Sequence, residues 1–230
     1  MNVLTRRVFL SLAAGAVAVT AGCDMASLAY FLGPEQRLDA KMKHLASDDK
    51  KKEPRVVILT WAGLETRAEF IHADRQLSEL LAQNLREMAQ TNSEKLAFIP
   101  SRRVEEFKNN NPGWRGMDLS EVGRKFNADY VVYLEINSLS LYETGSLNQL
   151  LRGRTNITVS LVDVAKPDDA PSSESFSCVY PGDAPGPIPV SVDTQPLPFR
   201  QMFLSHVARQ LARYFSKYPR NDRYRMDQPS

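Results

Sequence analysis

Histidine and cysteine are too few and too scattered to build a metal centre. His44, His72 and His206 lie far apart, HExxH and CxxC spacings are absent, and the only cysteines are Cys23 and Cys178. A protein-held zinc needs its ligands clustered at short, regular spacings. A G-x-S-x-G elbow, a phosphate loop and a glycine-rich dinucleotide loop are missing as well. Those absences remove the sequence signals for the common hydrolase, nucleotide and redox chemistries, and no cofactor is expected. Charge of one sign is also lacking. The net charge is +2, and Arg6 and Arg7 lie in an opening segment that holds no acid, so the rest of the chain sums to zero. That balance gives no electrostatic footprint for nucleic acid. No repeat of 20–50 residues stands out.

Long apolar runs are scarce, and the longest sits at the start. MNVLTRRVFLSLAAGAVAVTAGC has a short basic region, an apolar stretch from Val8 to Val19, and then small residues. This is the tripartite export signal, too short to span a bilayer comfortably. TRRVFL resembles a twin-arginine signal, and the general export route remains open beside it. TAGC resembles the lipobox of bacterial lipoproteins, although Thr20 stands where leucine is usual. That resemblance implies cleavage before Cys23 and acylation of its sulfur. The alternative is cleavage after Ala21, which would release a soluble chain with a free thiol. The expected organisation is therefore a signal peptide over 1–22, a lipid-anchored tether over 23–54, one domain over 55–218 and a tail over 219–230. Cys178, in the alternation SFSCVY, reads as a buried strand thiol.

Within the domain, RVVILT (55–60) is a β-branched run expected as a buried strand. Leu77, Leu81, Leu85 and Met88 recur at helical spacing, giving a helix from about 66 to 91. KLAFIP (95–100) reads as a second strand and SRRVEEFKN as a short helix. DLSE places a capping acceptor and a glutamate three residues later before another helix. ADYVVYLEIN (128–137) is long and apolar enough to be a central strand. A hairpin-like connection over 138–154 leads to TNITVSLVDVA (155–165) and SESFSCVY (173–180), and the Pro-rich stretch 181–198 is a loop. The segment FRQMFLSHVARQLARYFSKY is an amphipathic closing helix. The order predicts an α/β fold of α+β type, with a mixed sheet and helices mainly on one face.

Tyr133, Glu135, Thr158 and Ser160 are expected on the face of the sheet away from those helices. They are a candidate partner surface, or a polar face covered by the proline loop. Glu65 and Glu135 are the carboxylates on which a cell-wall hydrolase would rest. His72, with Glu69 and Asp74 nearby, fits a solvated helix start.

VVILTW before the helix QLSELLAQNLREM, the passage DLSEVGRKFNADYVVYLEI and the turn ITVSLVDVAKP resemble the N-terminal domain of TolB and its envelope relatives of CsgG and LpoB type. The resemblance spans residues 55–166. It implies a non-enzymatic envelope module facing the periplasm, with a protein partner and a possible homo-oligomer. The connection 138–154 lacks the sustained outward apolar alternation that a membrane pore of the CsgG kind needs.

Overall fold

A computed structural model describes residues 37–220 apart from 48, 50, 65 and 67–69. Short strand β1 (Arg37–Leu38) comes first, then β2 (Arg55–Ala62), α1 (Ala73–Thr91), β3 (Ala97–Phe98) and α2 (Ser101–Asn110). A 3-10 turn at Trp114–Gly116 leads to α3 (Leu119–Lys125), and then to β4 (Tyr130–Tyr142), β5 (Leu150–Asp163) and β6 (Ser172–Tyr180). β7 (Ile188–Pro189), α4 (Pro196–Ala212) and β8 (Tyr218–Pro219) complete it.

The main sheet runs β3-β2-β4-β5-β6, with β7 joined to β5. β2 is parallel to both β3 and β4, whereas β4, β5 and β6 are successively antiparallel. The sheet is mixed because helical crossovers return the chain in the same sense, while tight connections reverse it. Val56 to Thr60 are all buried, as a strand covered on two faces requires.

One face of the sheet carries the two long helices. Leu77, Leu81 and Leu85 of α1 and Phe199, Phe203 and Val207 of α4 share a core with Val132, Leu134 and Val159. On the other face, α2, the 3-10 turn and α3 cover Val57, Leu59, Val131 and Val162 through Val104, Trp114 and Val122. α3 begins as its sequence proposes: Asp118 Oδ1 accepts from the amides of Ser120 at 2.7 Å and Glu121 at 3.2 Å. The Arg37–Leu38 pair lies antiparallel to Tyr218–Pro219, beyond the end of α4.

Three expected boundaries move. The domain does not begin at Arg55 but includes residues 37–46, which the sequence assigns to the tether. The amides of Lys41, Met42 and Leu45 donate to the carbonyls of Arg213, Tyr214 and Phe215, and Leu45 is buried in the main core. α1 starts at Ala73 rather than 66, because His72 takes φ 63, a left-handed conformation that a continuing helix excludes. The connection 138–154 shrinks to 143–149, since β4 and β5 extend to Tyr142 and Leu150. The tail's first two residues are placed near or in β8, while 221–230, like the leader and Cys23, lie outside the described residues.

Cys178 faces the main core, and burial pushes its thiol up to about 12. Its neutral form therefore contributes stability fully below the ordinary thiol value of about 8.5, and the contribution fades as pH rises toward 12. At pH 8 an aromatic disulfide reagent is expected to label Cys178 only as fast as the domain unfolds. Rapid labelling of the native protein would place the thiol in solvent instead.

Candidate binding surface

β4 and β5 bring the four expected surface residues together, since Tyr133 lies opposite Ser160 and Glu135 opposite Thr158. They do not play equal parts. The Tyr133 ring meets Trp114 edge-on at 6.0 Å, and burial raises its phenol above the ordinary value. Ser160 is buried and shares a 2.7 Å hydrogen bond with Ser173. These two are absorbed into packing. Glu135 and Thr158 border the open part of the face.

That open part is a chain of amides and hydroxyls crossing three strands. Asn137 Nδ2 donates to Asn156 Oδ1 at 2.9 Å and to Thr158 Oγ1 at 3.0 Å. Asn156 Nδ2 then donates to Ser177 Oγ at 2.9 Å and to Ser175 Oγ at 3.4 Å. Asn137, Ser175 and Ser177 are exposed, and Asn156 and Thr158 half-buried. Cross-strand hydrogen bonds of this kind hold each group in one direction before any partner arrives. The proline loop runs along the upper edge rather than over these groups: Val190 N donates to Gln149 O at 2.8 Å, and Asp183 accepts from Arg152 at 2.6 Å. Asn137, Asn156, Ser175 and Ser177 escape a search for titratable residues. Their signal in the sequence is the alternation S-E-S-F-S-C and N-I-T, in which every second residue is a small hydrogen-bonding one.

Above this face, at the carboxyl end of β2, lies a cavity of about 630 Å3 lined by Trp61, His72, Asp74, Glu105, Lys108 and Arg115, among others. β2 leads to α1 on one face and its neighbour β3 to α2 on the other, so the cavity sits where the connections diverge, a common location for ligands in α/β sheets. Its charges, however, are spent on one another. Lys108 Nζ donates to Glu105 Oε1 at 2.7 Å and to the Thr60 carbonyl at 3.1 Å, and lies 3.7 Å from Asp74 Oδ2. The Arg115 guanidinium stacks 3.5 Å from the Trp61 ring centroid and reaches Glu135 at 3.4 Å. Among the described residues no group of three or more His, Cys, Asp or Glu is arranged to hold a metal ion. Glu65 and Glu69 lie outside the described residues.

No family model matches the sequence, and no curated protein matches it. Solved structures do resemble it. The PelC dodecamer from Paraburkholderia phytofirmans is 10% identical, with a TM-score of 0.42, over 80% of this chain and 99% of that one. Lipoprotein GNA1162 from Neisseria meningitidis is 16% identical, with a TM-score of 0.35, over 69% and 96% of the two chains. Protein XCC0632 from Xanthomonas campestris is 11% identical, with a TM-score of 0.42, over 76% and 90%. None of these three is named as a TolB, CsgG or LpoB protein, the group expected from the sequence. All three are bacterial proteins, and GNA1162 is named as a lipoprotein.

Proposed function

We propose that the protein is an envelope lipoprotein, anchored through Cys23 and facing the periplasm, that acts as a non-catalytic binding or assembly module. The observation that carries the binding reading is the open row from Asn137 through Asn156 to Ser175 and Ser177, whose side chains are ordered and uncharged. Such a surface meets a partner rich in hydrogen-bonding groups, and its contribution is direction more than strength. Glu135, the described carboxylate on which the hydrolase alternative rests, has its charge engaged by Arg115, which favours binding over catalysis. The anchoring reading rests on the leader and TAGC. Several acyl chains hold a protein durably at a bilayer, because each buried methylene contributes about 0.8 kcal/mol.

Intact mass tests the anchor. The mature chain should start at Cys23 and carry the added mass of acyl chains, and Cys23→Ala should move the protein from the detergent phase to the aqueous phase. A native chain that starts at Gly22 with an unmodified sulfur would end this reading. For the binding face, a photocrosslinker at Ser175 in living cells should give a discrete adduct that one at Lys125, on α3, does not.

A further inference from the structure

The most exposed large apolar side chains among the described residues gather at one pole. Leu64, Ile71, Leu147, Val192 and Leu197 are 62–89% exposed. Leu64 follows β2, Ile71 precedes α1, Leu147 tips the β4–β5 hairpin, Val192 lies in the loop before α4, and Leu197 is in the first turn of α4. β2 and β4 are parallel and both run toward this pole, and β5 starts from it. Hydrogen bonds join the pieces: Arg200 of α4 donates to the Ile71 carbonyl at 2.7 Å, and Val190 N to Gln149 O at 2.8 Å. Near the opposite pole, where Arg37 pairs with Pro219, no large apolar side chain is exposed among the described residues.

Single exposed aliphatics are ordinary, but five on separate connections at one end are not. They stand on separate tips and not along one groove, so a protein partner would need a hollow for each. A bilayer interface takes such tips without shape matching. Of the nearby cations, Arg152 and Arg154 are paired with Glu143, and Arg152 with Asp183 as well, while Arg200 is held by the Ile71 carbonyl and the Gln76 carboxamide.

Chain length identifies the bilayer. Fourteen peptide steps separate Cys23 from Arg37, and at 3.3–3.6 Å each they span at most about 50 Å. The 13 residues of β4 put the two poles roughly 43 Å apart. An anchor entering beside the opposite pole therefore still lets the apolar pole reach the membrane that holds the lipid. Held that close, even a weak contact is populated.

We infer that the apolar pole is a second membrane contact, with these five side chains seated shallowly in the bilayer that carries the Cys23 anchor. The contact fixes the orientation of the domain, and with it the direction in which the Asn156–Ser175 face is presented. The choice of bilayer rests on the anchored reading of Cys23, whereas the affinity of the pole for lipid does not.

The test uses the full mature chain in vesicles of phosphatidylethanolamine and phosphatidylglycerol, with an environment-sensitive fluorophore on Leu147→Cys or, as control, Lys125→Cys. The Leu147 site should shift to the blue and be quenched by brominated acyl chains, and the Lys125 site should do neither. Replacing Ile71, Val192 and Leu197 with serine should remove the Leu147 response while leaving the circular dichroism spectrum unchanged. Equal behaviour at the two sites overturns the inference. A Leu147 shift that appears without vesicles and grows with protein concentration also overturns it, in favour of a contact between copies. The same measurement on unacylated Cys23→Ser with excess vesicles separates the two readings. Quenching at Leu147 there supports the pole even if the native sulfur proves unmodified, and its absence there, with a native anchor present, confines lipid binding to the acyl chains.

Discussion

Gly153→Ala is expected to lower the unfolding free energy by about 3 kcal/mol, the upper part of the range for an overpacked core. Gly153 lies in β5 beneath α4, and a β-carbon there would stand 2.5 Å from Cδ2 and Cγ of Phe203 and 2.7 Å from Cδ1. Three ring atoms meet it at once, so rotating the ring about its own axis gives no relief. Phe203 is fully buried among Leu204, Val207 and the sheet, so the helix must lift or the strand must bend. A glycine inside a strand often marks such a close approach. Urea unfolding of Gly153→Ala should show a lower midpoint with an unchanged slope, the pattern of lost stability without a changed denatured state. Adding Phe203→Leu should cost less in the alanine background than in the parent, because the two changes relieve one clash. If Gly153→Ala unfolds at the parent midpoint, α4 does not rest on β5 as closely as described.

The apolar runs of β2 and β4 and the alternation of β5 and β6 were legible in the sequence because each strand has at least one buried face, and so was the spacing of α1 and α4. The cap at Asp118 was legible because its chemistry is local. Three things were not. Residues 37–46 carry Met42 and Leu45 among lysines, and their burial depends on carbonyls at the end of α4, more than 160 residues away. The length of the β4–β5 hairpin was hidden by a bulge between Ile136 and Ser138. An extra residue there reverses parity, so Leu139 and Leu141 enter the same core as Leu134 and Ile136. Read without the bulge, the strand seems to lose its apolar face at residue 138.

The candidate surface was half legible for a related reason. Titratable and aromatic residues attract notice, and two of the four chosen ones, Glu135 and Thr158, do border the open face. The groups that form it are the asparagines and serines between them. They bond to one another across strands, and only the register of β4, β5 and β6 brings them together. The cavity and the sheet face differ in the same way. The cavity holds the conspicuous charges, yet each is answered by a neighbour within the fold, whereas the sheet face is ordered and faces solvent.

If that answer is structural, Lys108→Met should destabilise the domain by about 3 kcal/mol, the lower end of what removing one partner of a buried ion pair costs. The Lys108 side chain is 7% exposed and its Nζ links the Glu105 carboxylate on α2, the Thr60 carbonyl on β2 and Asp74 at the start of α1. Methionine fills the same volume, so the loss comes from withdrawing the ammonium from the two carboxylates and not from a void. Glu105 is nearer the solvent than Asp74, so part of its share is recovered by hydration, which keeps the estimate at the low end. Asp74→Asn in the methionine background should then restore part of the loss, since a carboxamide needs no cation, while the same change in the parent should destabilise. This reversal of sign is the decisive result, because a lysine serving only a bound ligand would leave Asp74→Asn indifferent to its presence. Denaturant unfolding of the four proteins in the absence of any ligand measures it. Additive effects would show that the crevice does not lock α1 and α2 to β2, and would return it to consideration as a ligand site.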